Sequence, residues 1–173
     1  MAFSMFQATI PPCVQILDSM STVVDKAAAH CAEKKYDEAW MLNDRLFPDM
    51  FTLARQFRQV SDFGRNIPGR LAGGALPDFP ATDATTFAEV KDRLQKSLEY
   101  VKGFTAAQID GSEDKAIKIT FPSGATREFT GQSLLLTNAL PNFYFHCTTA
   151  YDILRQCGIE LGKRDFMGTP VSL

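Results

Sequence analysis

Apolar residues return at steps of three and four in four separate stretches, and that period commits most of the chain to amphipathic helices. Cys13, Ile16, Met20, Val23, Ala27 and His30 form the first stripe. It predicts a helix over about 11–33, opened by Thr9, Pro11 and Pro12, since proline suits a first helical turn. Met50, Leu53, Phe57, Val60, Gly64 and Ile67 form the second, starting at Pro48 and ending or kinking at Pro68, which has no N–H to give. Thr86 and Glu89 stand at capping-box spacing before Phe87, Val90, Leu94, Leu98 and Val101, with Gly103 as the stop. A last helix runs from about Pro141 to Cys157 and stops at Gly158.

One segment changes period. Ile117, Ile119 and Phe121 alternate with Lys118 and Thr120, and Ala125, Arg127 and Phe129 resume the alternation after Pro122, Ser123 and Gly124. This predicts a β-hairpin at about 115–130, which is marginal alone and must pack on the helices or on a partner chain. "AGGALPDFPATD" reads as a loop of about a dozen residues, "EKKYDEAW" as a polar connector and the tail "IELGKRDFMGTPVSL" as irregular. The expected fold class is mainly α: a four-helix bundle with a small β-hairpin inserted before the last helix, in one domain over residues 1–173.

Bulk properties narrow the function. The net charge of -2 comes with no basic tract, so nucleic acid is not an expected partner. No run reaches the about 18–20 apolar residues of a membrane span, and the N-terminus lacks the pattern of a secretory signal. Cys13, Cys31, Cys147 and Cys157 contain no C-x-x-C pair and fall on or beside apolar stripes, which reads as four reduced core thiols in a cytoplasmic protein.

The chain has two histidines, and one sits in "LPNFYFHCTTAYDILRQCG" where an aliphatic residue would serve. On a helical wheel His146 shares an inward face with Phe143, Ala150, Ile153, Leu154 and Cys157. A buried imidazole needs partners, because an unpaired buried polar group costs about 1–3 kcal/mol. Asp49 and Gln56, seven residues apart, share the inner face of the second helix with Leu53 and Val60. Arg93 borders the inner stripe of the third helix, and His30 ends the stripe of the first. Each also has a plain structural explanation: a satisfied core histidine, an aspartate or histidine favoured by a helix dipole, an arginine with a buried stem.

Several chemistries are excluded. His146 has Asn142 at i−4 and Ala150 at i+4, so the last helix supplies no second imidazole; a two-histidine site would need His30 from a different helix and Asp49, and no metal or other cofactor is expected. Cys147 follows His146 directly, and adjacent helical side chains diverge by about 100°, which rules out a Cys–His nucleophile pair from these two. There is no Gly-rich phosphate loop and no G-x-S-x-G elbow.

"VVDKAAAHC", "RLFPDMFTLARQ" and "PNFYFHCTTAYDILRQCGIELGKRDFMG" together resemble the family described as a domain of unknown function, DUF1993. The likeness covers nearly the whole chain. It implies a branch of the DinB/YfiT-like superfamily, with four-helix bundles that commonly dimerise. Better-known superfamily members hold a metal with one histidine on the second helix and an H-x-x-x-H pair on the last, and some are thiol-dependent transferases or hydrolases. This chain departs at both places, with Ala150 for the second histidine of the pair and Asp49 or Gln56 on the inner face of the second helix.

The resulting expectation is a homodimeric bundle with a metal-free small-molecule pocket. Leu53, Phe57 and Phe143 would form its walls, and His146, Asp49 and Gln56 its polar end, with Arg93 and His30 as further candidates. Two alternatives stand beside it. One is an enzyme using His146, oriented by Asp49, as general acid or base in an isomerisation, elimination or hydrolysis. The other is a structural dimer whose buried polar cluster fixes helix register.

Overall fold

A computed structural model describes residues 4–120 and 123–170. Its elements are α1 (Met5–Lys34), α2 (Glu38–Leu42), α3 (Leu53–Ala72), α4 (Phe87–Lys102), α5 (Ala106–Ile109), β1 (Ala116–Thr120), β2 (Thr126–Thr130), α6 (Gly131–Leu134), a π-helical turn (Leu135–Ala139), α7 (Leu140–Gln156) and α8 (Lys163–Met167). The four long helices form the bundle. α1 packs along α4, and α3 lies between α4 and α7 while also touching α1. Leu17, Met20, Phe57, Phe87, Leu94 and Phe143 are among the fully buried side chains at its centre.

Capping explains where the helices begin, and it corrects two starts read from proline. Ser4 and Gln7 form a capping box, so α1 begins ahead of Pro11 and Pro12 and carries both inside it. Pro48 lies in a turn closed by Met50 N–H donating to the Phe47 carbonyl at 2.9 Å. The cap of α3 is Thr52, whose side chain accepts from Arg55 N–H. α3 also runs through Pro68 to Gly73, which takes the left-handed conformation at φ 78°. α4 and α7 lie within a residue of expectation. The Thr86–Glu89 box is present, and Gly158 follows α7 at φ 87°.

The hairpin is antiparallel, with Ile117 opposite Phe129 and Ile119 opposite Arg127. Phe121 and Pro122, read above as its tip, lie outside the described residues. Ile117 and Ile119 are buried, and the hairpin is tied to the bundle by Lys115 Nζ donating to the Leu71 carbonyl at 2.9 Å. Gly131, just after β2, is pressed on the Ser112 carbonyl, where a Cβ would fall 1.9 Å from the oxygen. The segment "QSLLLTNAL" becomes α6 and the π-helical turn, running without a break into α7. The connector before α3 contains α2, whose Met41 and Leu42 are buried. The tail is less irregular than expected. α8 packs on α1, with Ser19 Oγ donating to the Phe166 carbonyl at 2.8 Å and Lys26 paired with Asp165 at 2.7 Å. Among the described residues no helix is long and apolar enough to cross a membrane.

Candidate functional site

His146 points into the seam between α7 and α3. It is 7% exposed, and its Nδ1 lies 2.7 Å from Oε1 of Gln56, itself 1% exposed. Gln56 sits in the first turn of α3, and its Nε2 donates back to the Phe51 carbonyl at 3.3 Å. That second bond fixes the amide with Oε1 toward the imidazole. Oε1 can only accept, so Nδ1 carries the proton and Nε2 carries the lone pair. Nε2 makes no hydrogen bond among the described residues.

The imidazole is enclosed by rings. Phe51 and Phe63 lie nearly parallel to it, with centroids at 6.3 and 5.6 Å and interplanar angles of 8° and 21°. Phe145 meets it edge-on at 5.3 Å. This environment solvates a cation poorly, and burial pushes the His146 pKa down to about 4. The ring is therefore neutral near pH 7. It is a weak base and a permanent acceptor at Nε2.

The other candidates stand elsewhere. Asp49 is exposed in the turn before α3 and makes no hydrogen bond among the described residues, so Gln56 and not Asp49 orients His146. The wheel placed Asp49 on an inner face because Pro48 was read as the helix start, whereas Thr52 is the cap. His30 is half-buried near the end of α1, beside the Tyr36 ring at 5.9 Å. Leu53, Phe57 and Phe143 are fully buried in the core. Phe143 abuts Gly64 of α3, where an added Cβ would lie 3.2 Å from the Phe143 ring and 3.1 Å from Leu17. None of Asp49, Arg93, His30, Leu53, Phe57 or Phe143 makes a hydrogen bond or ring contact with His146.

Arg93 belongs to a second polar cluster, between α3 and α4. Its Nη2 donates to Asp62 Oδ1 at 2.8 Å and its Nη1 to the Pro80 carbonyl at 2.8 Å. Buried Arg65 donates to the same Asp62 oxygen and, at 3.2 Å, to Ser61 Oγ, which bonds Ser97 Oγ at 2.8 Å. The guanidinium of Arg65 lies 4.1 Å from the centre of the Phe79 ring, which holds the long loop onto the bundle. Next to this cluster is a cavity of about 480 Å³ under the loop, bordered by Phe57, Arg58, Phe79, Asp83 and Arg93. Its cations are matched by carboxylates, Arg58 by Asp83 at 3.1 Å and Arg93 by Asp62.

A cavity of about 400 Å³ adjoins the His146 surroundings directly. Phe63, the ring stacked on His146, forms part of its wall, and so does Asn142, one turn before His146 on α7. Its other walls come from Asn66, Ile67 and Arg70 of α3, Ile119 of β1, and Leu134 and Asn138 around the π-helical turn. π-helical turns recur at functional sites, because the extra residue redirects side chains. No residue pattern marked this cavity. Asn66 and Arg70 lie off the apolar stripe that runs from Met50 to Ile67.

Among the described residues no group of three His, Cys, Asp or Glu could hold a metal ion. The four cysteines are free. Burial pushes the Cys13 thiol up to about 12 and raises Cys147 well above its ordinary value. Cys157 rises to about 12 through burial and its 3.2 Å bond to Asp44. None is a ready thiolate nucleophile.

No curated protein matches the chain. Among solved structures it is similar to a DinB family member protein from Shewanella denitrificans. The two share 34% identity over 97% of this chain and 94% of that one, with a TM-score of 0.85. The arrangement of helices is thus DinB-like. The family model described as "Domain of unknown function (DUF1993)" matches residues 5–167, and the chain belongs to that family.

Proposed function

We propose that the protein binds a small molecule without a metal, in the cavity along the α3–α7 seam beside His146 and not around His146 itself. The observation that carries this reading is the cavity's wall. At about 400 Å³ it has the size of a ligand site, and it shares Phe63 with the aromatic enclosure of His146. The Gln56–His146 pair then serves as the rigid backing that holds Phe63 and Asn142 in place. Ligand-observed NMR with a library of small apolar and polar fragments tests the proposal. Binding fragments should shift signals of Phe63, Asn66 and Ile119, and Ile119→Trp, which fills the space, should abolish their binding. Fragments that bind equally well to Ile119→Trp, or the absence of any binding fragment, would remove the reading.

A second reading is favoured by one observation. The Nδ1–Oε1 bond is short, buried and ringed by three phenylalanines, which suits a polar pair that fixes the register of α3 against α7. Under that reading Gln56→Leu loosens the packing, and fragment binding finds no preferred place.

A further inference from the structure

Arg70 stands apart from the other arginines that face the cavities. Arg58 and Arg93 have carboxylate partners, and Arg65 shares Asp62 with Arg93. The Arg70 side chain makes no hydrogen bond or ion pair among the described residues, although it is half-buried and lines the 400 Å³ cavity. Burial lowers its pKa, yet an arginine stays charged at any ordinary pH. A guanidinium partly withdrawn from water gains most from a planar anion that accepts two N–H bonds at once.

The neighbouring residues define the rest of a complementary ligand. Asp62, Asn66 and Arg70 recur every fourth residue, so they form one row along α3, with Asn66 about 6 Å and Asp62 about 12 Å from Arg70 along the axis. Asp62 lines the end of this cavity away from Arg70, and its carboxylate already accepts from two other arginines. Asn66 Oδ1 is shut off from solvent and accepts no hydrogen bond. Beside this row, Phe63 and Ile67 of the same helix face Ile119 and Leu134 across the space, which makes the cavity apolar between its polar ends.

We infer that the cavity takes a small organic acid, its carboxylate on Arg70 and its hydrocarbon body against Phe63, Ile67, Ile119 and Leu134. This rests on the small-molecule reading above and assigns the charge class of the ligand. The acid binds as the carboxylate, and no covalent step is involved.

Calorimetric titration with octanoate and octanol, on the full chain and on Arg70→Gln, tests the inference. Octanoate should bind at least about tenfold more tightly than octanol, since a charge-assisted bidentate contact is worth about a factor of ten or more. Arg70→Gln should weaken octanoate by about that factor and leave octanol unchanged. Equal affinities for the two probes in the unaltered chain would overturn the organic-acid assignment while leaving a small-molecule cavity in place, and this arm needs no variant to fold. Octanoate binding that survives Arg70→Gln, in protein with an unchanged melting temperature, would do the same. If neither probe binds up to its solubility limit, the small-molecule reading falls and the assignment with it.

Discussion

Toward α7, helix α3 presents a neutral amide to a neutral imidazole. Toward α4 it presents one carboxylate, shared with its own Arg65, to the Arg93 guanidinium, and a serine to a serine. Both contacts tie the same helix to a neighbour, but they respond differently to loss. A neutral pair stripped of one member leaves a single orphaned hydrogen-bonding group. The charged cluster stripped of Asp62 leaves a buried arginine, Arg65, with no counter-charge and only a serine to bond. Burial of a neutral pair is tolerant, and burial of an ion pair is all-or-none.

The largest effect should therefore come from Asp62→Ala, with about 3–5 kcal/mol of stability lost in urea unfolding. A loss under about 1 kcal/mol would mean that Arg65 reaches water without help and would erase the contrast. Acid should expose the other side of the comparison. The His146 pKa is about 4 in the fold and near 6.5 in the unfolded chain, so the unfolded chain binds more protons between those values. Stability should be complete above about pH 6.5 and fall as pH drops toward 4, by up to about 3 kcal/mol. In His146→Phe that part of the acid sensitivity should vanish, as parallel unfolding curves at pH 7 and pH 4 would show. Gln56→Leu should cost about 1–3 kcal/mol at pH 7, because Nδ1–H loses its acceptor within the phenylalanine enclosure. The smallest change is expected for Ser97→Ala, about 1 kcal/mol, since Ser61 keeps its bond from Arg65. A cost equal to that of Asp62→Ala would show that the serine pair and not the charge holds α4.

Much of this arrangement could be read from residue spacing. The Thr86–Glu89 box and the Gly158 stop located α4 and α7 because caps are local, and local chemistry is visible in one chain. His146 was legible as an inward residue for the same reason, and Gln56 shared the right face of α3. Asp49 was misplaced because Pro48 resembles a helix start, while the Thr52 hydroxyl determines the true one four residues later. The Asp62 cluster escaped notice because Arg93 and Ser97 lie more than 30 residues from Asp62 and Ser61. Arg93 read as a flank residue, and its partners come from another helix and a loop carbonyl. The cavity walled by Phe63, Arg70 and Ile119 was invisible. It exists only where a helix flank, a hairpin and a π-helical turn converge, and no periodicity in any one of them signals the others.

The π-helical turn at Leu135–Ala139 has a consequence for how this family could diversify. One residue more or less within a helix turns everything on one side of it by about 100° relative to the other. Downstream, α7 is clamped by its buried face, so the upstream end would rotate. Leu134 would then swing away from Ile119 while His146 stayed on Gln56. A single-codon deletion there would exchange the lining of the cavity in one step, at the cost of moving the buried Leu134 and Leu135.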